Sequence, residues 1–132
     1  MAAKKSERAL VDEWREVLAL HARTICELDR ELHRHGLGAS DFEVLDVLAE
    51  ETGDGDCSFR VQELASRVHL SQSALSRLVA RLEKDGLVTR GMCSEDRRGV
   101  RVALTETGRA RHAEVQPLQR AVLSRMLANP TA

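Results

Sequence analysis

Apolar residues recur every three or four positions in several separate stretches of the chain, which predicts a mostly helical protein. The longest stretch runs from about Ser6 to His35 and ends before Gly36, a residue suited to closing a helix. This helix is long for a small domain, so we expect a partner subunit to cover part of its apolar face. The apolar members are Leu10, Trp14, Val17, Leu18, Ile25, Leu28 and Leu32.

A second helix is predicted to begin at Ser40, whose hydroxyl can cap the helix while Glu43 returns the bond three residues on. The residues at 52–58 then predict a turn-rich loop, because Gly and Asp alternate in it. The expected buried side of the helix comprises Phe42, Leu45, Leu48 and Ala49.

Two short helices joined by a tight turn follow a short strand at 59–61. The first helix covers Gln62–Val68, and the second covers Gln72–Asp85. Ser71 stands at the N-cap position of the second helix, where its hydroxyl can accept a backbone hydrogen bond. This arrangement is a helix-turn-helix.

The second of these helices separates into two faces when residues are placed at 100° intervals. One face is apolar, and the other is small, hydrogen-bonding and positive. An outer face of that kind suits a helix that enters a DNA major groove, whereas an ordinary surface helix more often alternates acids and bases. The apolar face comprises Leu75, Leu78, Val79 and Leu82, and the outer face comprises Ser73, Ser76, Arg77, Ala80, Arg81 and Lys84.

The pattern after Gly86 predicts two paired strands, Leu87–Arg90 and Val100–Leu104. The charged segment 91–99 between them is too long for a tight hairpin and is expected to protrude as a loop, or wing. Thr105 is expected to cap a last helical region. Pro117 must break or kink that region, so one bent helix and two helices both remain open.

Charge is unevenly distributed along a chain of net charge −1. Residues 60–111 hold eleven basic and six acidic side chains, a net charge of +5, and the remaining residues sum to −6. A basic block in a neutral protein is typical of a surface that binds a polyanion, although charge alone fits a solvated surface equally well.

Several function classes find no support in the sequence. No stretch approaches the roughly 18 to 20 apolar residues of a membrane span, and a cytoplasmic protein is expected. The three cysteines lack C-x-x-C spacing and the five histidines lack ligand spacing, so neither a disulfide framework nor a metal site is predicted. Catalytic motifs are absent, so no enzyme activity and no cofactor are expected.

Residues 61–109 resemble the MarR family of bacterial winged helix-turn-helix regulators. The resemblance lies in the helix-turn-helix, in residues 82–88 at its end, in the wing motif Asp96-Arg97-Arg98-Gly99 and in residues 104–108 at the start of the last helix. Residues 41–50 resemble the second helix of the family. The resemblance implies a mainly α fold with a small β-hairpin. It also implies a single domain over 1–132, with dimerisation helices at 6–35 and 105–128 and a DNA-binding lobe at 40–104.

The family geometry implies a homodimer on a pseudo-palindromic DNA operator. Two recognition helices would enter successive major grooves roughly 34 Å apart, and repression would follow from blocked promoter access. Arg81 is then expected to hold a phosphate, and Ser71 to combine capping with a phosphate contact. The candidates for base edges or nearby phosphates are Gln72, Ser73, Ser76 and Arg77.

Wing residues have implied roles as well. Arg98 matches the minor-groove arginine of the family, and Asp96 matches the acid that orients the wing by pairing with arginine. Arg97 and Arg101 are expected to contact the DNA backbone or to form salt bridges. Cys93 lies between basic residues, which favours a reactive thiolate and makes it a candidate redox sensor, although an ordinary loop residue explains it as well.

The resemblance further implies a small aromatic effector, bound where the dimerisation helices meet the DNA-binding lobes. Trp14, His21 and Phe42 are the candidate contacts, and packing is the alternative for each. The C-terminal region is shorter than usual for the family. Two alternative functions remain for a winged-helix protein: a protein-interaction module and a non-specific DNA-binding protein.

Overall fold

The computed structural model describes residues 4–51, 59–93 and 96–128; at positions 51, 59, 92–93 and 96–99 the description covers the backbone alone. The loop predicted at 52–58 lies outside these residues. Within the described ranges, no helix is both long enough and apolar enough to cross a lipid bilayer.

Helix α1 spans Glu7–Leu32 and continues through a 3₁₀ turn, His33–His35, to Gly36. The Ser6 hydroxyl caps its start by accepting a hydrogen bond of 3.1 Å from the Ala9 amide. Gly36 adopts a left-handed conformation (φ 73°), which confirms the predicted stop. The buried residues of α1 all lie in its second half, so the first half is not packed within one chain.

Helix α2 (Ala39–Glu51) begins one residue before the predicted start, and the predicted cap at Ser40 is wrong. Carboxylates take the hydroxyl's place. The Gly38 amide donates to Asp41 Oδ2 at 2.8 Å, and the Ala39 amide donates to Asp29 Oδ1 at 2.8 Å. A carboxylate is the stronger acceptor, and it is favoured at a helix N-terminus by the helix dipole.

The hydrophobic core is built around α2, which is covered on most of its circumference. Phe42, Leu45 and Leu48 are fully buried, as the sequence predicted, and Val44 and Val47 are buried as well. The other elements contribute the remaining buried apolar residues, which include Leu32, Leu37, Leu64, Leu75, Val79, Leu82, Leu87, Val88, Val102, Leu104 and Val115.

The helix-turn-helix and the hairpin form the rest of the lobe. Strand β1 (Phe59–Arg60) leads into α3 (Val61–Val68), and α4 (Gln72–Lys84) follows the turn. The structure therefore confirms the mainly α fold with a β-hairpin.

The hairpin is longer than the sequence predicted. Strands β2 (Val88–Cys93) and β3 (Asp96–Leu104) pair in antiparallel register from Val88 opposite Leu104 to Cys93 opposite Asp96, with β1 on the other side of β3. The prediction of a loop is wrong at 91–93 and 96–99, because an antiparallel ladder can continue through polar residues; residues 94–95 lie outside the described ranges.

Helix α5 spans Glu106–Leu123 without interruption and ends in a π-helical turn, Ser124–Ala128. Of the two arrangements that Pro117 left open, one helix is confirmed and two separate helices are wrong. A proline inside a helix costs about 3 kcal/mol, but Val115, Gln119 and Val122 are buried around it. We attribute the continuity of the helix to this packing.

The start of α5 is fastened to the turn that follows α4. The Thr105 hydroxyl accepts from the Gly108 amide at 2.9 Å and donates to the Gly86 carbonyl at 2.6 Å. The Thr105 amide donates to the Leu87 carbonyl at 3.0 Å. A Cβ atom on Gly108 would overlap the Leu87 carbonyl, so only glycine fits this contact.

The substitution Gly108→Ala is expected to lower the free energy of unfolding by about 1–3 kcal/mol, because the backbone of α5 must move away from Leu87. Urea denaturation of both proteins measures the difference. Gly91→Ala is the matched control, since a Cβ there meets no atom within 4 Å and should change stability by less than about 0.5 kcal/mol. Equal stability of Gly108→Ala and wild type would contradict this account of the junction.

Candidate nucleic-acid interface

Helix α4 has the two faces that its sequence predicted. Leu75, Leu78, Val79 and Leu82 are buried in the core, so the helix cannot turn about its axis without exposing them. The contact residues predicted on this helix and at its cap are exposed to solvent as a consequence. They are Ser71, Gln72, Ser73, Ser76, Arg77, Ala80 and Arg81.

The N-terminus of α4 is capped as predicted. The Ser71 hydroxyl accepts from the Ala74 amide at 3.1 Å, and no acidic side chain stands in the first turn. The free N–H groups of this turn and the positive end of the helix dipole therefore face outward beside Gln72 and Ser73. Such a terminus favours an anion such as a phosphate.

Arg81 is held by an ion pair with a buried carboxylate of the protein. Its guanidinium donates from Nη2 to Asp41 Oδ1, at the start of α2. Asp41 is buried, with 8% of its side chain exposed, whereas Arg81 is 57% exposed. The phosphate contact predicted for Arg81 stays a prediction.

A polar cleft of about 350 Å³ opens beside the recognition helix, a feature that sequence reasoning missed. It lies between the start of α3, the N-terminal half of α4 and the base of the hairpin. Periodicity within single elements could not reveal it, because its walls come from five elements, β1, α3, α4, β2 and β3. The residues that line it are Arg60, Val61, Gln62, Gln72, Ser76, Arg90 and Val100.

An ion pair joins α4 to the base of the wing. Glu83 accepts from Arg90 Nε at 3.0 Å and from the Arg90 amide at 3.3 Å. Both side chains are about two-fifths exposed, so the pair contributes little stability but aligns β2 with α4. The sequence places the two residues seven apart across a turn, and no helical or strand period relates them.

The predicted wing residues are only partly covered by the structure. The side chains of Asp96, Arg97, Arg98 and Cys93 lie outside the described part of the chain, so their roles stay predictions. Arg101 is half-buried on the central strand, where its backbone pairs with Arg60 and Gly91.

A second cleft, of about 820 Å³, separates α1 from the helix-turn-helix. His21, Ile25 and Leu28 of α1 form one wall. The other walls come from the start of α2 and from the turn that precedes α4. Those walls contain Ala39, Ser40, Glu43, Arg67, Val68, His69 and Leu70.

The three residues predicted to contact an effector are not brought together. His21 lines the second cleft and is exposed. Trp14 lies two helical turns earlier, is 59% exposed and does not line the cleft. Phe42 is fully buried and stacks on the His112 ring, with centroids 5.3 Å apart.

A buried polar cluster holds α5 against α2. Asp46 accepts from both sides: it lies 2.7 Å from His112 Nε2 and receives two bonds of 3.0 and 3.1 Å from Arg120 Nη2. Arg120 also donates to the Gln119 side chain at 2.6 Å. Because Asp46 is buried, these partners compensate the loss of its hydration.

Glu43 lines the second cleft, and its surroundings disfavour the charged form of its carboxyl group. Desolvation raises the pKa of the Glu43 carboxyl above its usual range, and the negative charges of Asp46 and Glu50 raise it further. Arg120 and His69 oppose this shift. The ionised carboxylate of Glu43 is therefore less stable in this cleft than it would be in water.

Comparisons with known proteins give one consistent result. The MarR family description matches residues 35–99. The transcriptional repressor MdtR of Bacillus subtilis (strain 168) is 26% identical over 124 residues, covering 94% of this chain and 77% of MdtR.

Solved structures agree with the sequence comparisons. AbsC, a MarR family transcriptional regulator from Streptomyces coelicolor, superimposes with a TM-score of 0.81 at 30% identity, covering 99% of this chain and 86% of AbsC. Sco3205 from the same organism, solved in complex with DNA, gives a TM-score of 0.81 at 27% identity, covering 99% of this chain and 81% of Sco3205.

The substitution Glu43→Gln is expected to stabilise the protein increasingly as pH rises. Below about pH 4 the carboxyl is protonated in both folded and unfolded chains, so the variant gains nothing. Above it, the unfolded chain releases the proton more readily than the folded one, and the wild type loses stability until the folded pKa is passed. Denaturation across pH measures the difference, which should stay below about 1 kcal/mol because Glu43 is partly exposed. A variant that is less stable at neutral pH would contradict the assignment.

Proposed function

The chain belongs to the MarR family of transcriptional regulators, and from this we propose that it is a sequence-specific repressor that binds a pseudo-palindromic operator as a homodimer. Members of this family are DNA-binding transcription factors and not enzymes, and this chain is one of them. The observation that carries the proposal is the division of α4 into a buried apolar face and an exposed polar one.

Base recognition is assigned to the exposed face of α4. Gln72, Ser73, Ser76 and Arg77 stand side by side on it, and all four can hydrogen-bond base edges in the major groove. Arg77 can present two parallel donors to a guanine. The capped N-terminus at Ser71 receives a backbone phosphate, which fixes the register of the helix on the duplex.

The hairpin is assigned to the flanking DNA. Arg98 enters the minor groove, Asp96 orients the wing by pairing with arginine, and Arg97 and Arg101 contact the backbone or form salt bridges. The ion pair between Glu83 and Arg90 supports this assignment, because it sets the direction in which the wing leaves α4.

A second copy of the chain is assigned to the uncovered part of α1. Leu10, Trp14, Val17 and Leu18 are each about half exposed, and Leu127 in the C-terminal turn is exposed as well. Arg125 binds Glu27 at 3.0 Å and so holds this turn against α1. Most of a helix's stability in a protein comes from packing its apolar face, so the exposed apolar residues of α1 need a partner.

A small aromatic effector is assigned to the 820 Å³ cleft, since that volume suits a ligand of drug-like size. The cleft combines apolar walls with a few polar groups, among them His21, Arg67 and His69. An occupant would contact α1, which carries the dimer surface, and also the turn that leads into α4. It would thereby change the spacing of the two recognition helices and release the operator. Oxidation of Cys93 is the alternative trigger.

Arg77→Ala is expected to bind the operator about 5- to 150-fold more weakly than wild type, because a bidentate arginine contact to a base contributes about 1–3 kcal/mol. The operator is first obtained by selecting bound fragments from a pool of random duplexes with the wild-type protein near physiological salt, and an enriched inverted repeat is the expected outcome. Fluorescence anisotropy then gives the two dissociation constants.

Scrambled duplex is the control for Arg77→Ala, since non-specific affinity should fall much less than operator affinity. Equal losses on both duplexes would assign Arg77 to the DNA backbone and not to a base. A wild-type pool without enrichment, accompanied by weak and salt-sensitive binding, would contradict sequence-specific regulation. It would favour non-specific DNA binding or a protein-interaction module.

Val17→Glu is expected to raise the dimer dissociation constant by about a hundredfold or more, because an isologous interface buries the new charge in both subunits. Sedimentation velocity over a concentration series measures the change. Ala19→Glu is the matched control, since it adds the same side chain about 160° away around the helix. A wild-type protein that sediments as a monomer at all concentrations would contradict the proposed homodimer.

A further inference from the structure

Two carboxylates connect three parts of the molecule: Asp41 joins the start of α2 to α4, and Asp29 joins the same junction to α1. The Oδ2 atom of Asp41 accepts from the Gly38 amide at 2.8 Å, which fixes the entry into α2. Its Oδ1 atom accepts from Arg81, on the last turn of α4. One residue along the chain from Gly38, the Ala39 amide binds Asp29 of α1 at 2.8 Å.

These bonds form a continuous path between two functional surfaces. The path starts on α1, whose first half is assigned to the dimer interface. It passes through the α1–α2 junction. A Cβ atom added to Gly38 there would lie 3.5 Å from Asp29 Oδ1 and 3.5 Å from Asp41 Oδ2. It ends on α4, the helix assigned to the major groove.

Arg81 cannot leave this path without consequence. Asp41 has 8% of its side chain exposed, so water cannot replace the guanidinium as its partner. A buried carboxylate that loses its cation is strongly disfavoured, whereas a solvent-exposed phosphate contact contributes little by comparison. This balance favours Arg81 remaining on Asp41 when DNA is added.

We propose that Arg81 acts on DNA binding through Asp41, as a positioning pair that sets α4 relative to the dimerisation helix, and not as a phosphate contact. The proposal rests on the proposed function and deepens it. The relative placement of α4 and α1 determines the spacing of the two recognition helices in the dimer. Loss of the pair therefore reduces discrimination between operator and other sequences.

For a substitution of Asp41, electrostatics alone predicts a change in DNA affinity opposite to the one that a positioning role predicts. Removing the negative charge of Asp41 beside a polyanion should tighten DNA binding, and it should also free Arg81 for a phosphate. A positioning role predicts instead that Asp41→Asn weakens operator binding although it removes a repulsive charge. The sign of this one effect separates the two roles.

The test is a double-mutant cycle of Asp41→Asn and Arg81→Gln on the operator and on scrambled duplex, at several salt concentrations. Each single variant is expected to lose discrimination about tenfold, and the double variant should lose no more than either single. The salt slope for Arg81→Gln should equal that of wild type, whereas a lost phosphate contact would lower it by about 0.9.

Two controls match the charge changes. Arg34→Gln removes the positive charge and Glu31→Gln removes the negative charge of one surface pair at the end of α1; both should retain full discrimination. Tighter or unchanged operator binding by Asp41→Asn would overturn the proposal alone. A wild-type protein that discriminates no duplex would overturn the proposed function and this proposal together.

Guanidinium-selective ¹⁵N NMR of the wild-type protein tests the pair if a variant fails to fold. The Arg81 signals should show hindered rotation in the free protein and should keep their positions when operator is added. Freely rotating Arg81 signals, or signals that shift on addition of DNA, would overturn the proposal.

Discussion

The burial of the apolar face of α4 is the constraint on which the rest of the structure depends. Leu75, Leu78, Val79 and Leu82 lie in the same core as α2. Each fully buried side chain of this kind contributes about 1.5–3 kcal/mol, so rotating α4 by half a turn would cost about as much as a small domain's entire stability. The opposite face is consequently fixed toward solvent, where its serines, Gln72 and Arg77 are available to DNA.

Both ends of α4 are held by short-range contacts that transmit this constraint to the neighbouring elements. Ser71 closes the start of the helix, and the turn at Gly86 is fastened to α5 through Thr105. Asp46 in turn holds α5 against α2. The lobe is thus one connected unit, whereas the first half of α1 projects from it with an uncovered apolar stripe. We infer that dimerisation uses the part of the chain that the lobe does not need.

The local features of this fold could be predicted from sequence, and the long-range ones could not. Capping at Ser71 and Thr105 and the left-handed Gly86 follow from residue type and position within one turn. The contacts of Asp41 with Arg81, and of Asp46 with Arg120, join residues 40 and 74 positions apart, and no periodicity reports them. Likewise, the hairpin pairing hidden in a charged segment and the uninterrupted α5 at its proline depend on tertiary context.

The central claim is that the exposed face of α4 lies in the major groove at two places on one duplex. Methylation interference with dimethyl sulfate on the operator tests it most directly, because this reagent modifies guanine N7 in the major groove and adenine N3 in the minor groove. The account predicts that guanine N7 methylation blocks binding at two clusters about one helical turn apart, with symmetric partners on the opposite strand. Interference confined to adenine N3, or none at any guanine, would contradict it.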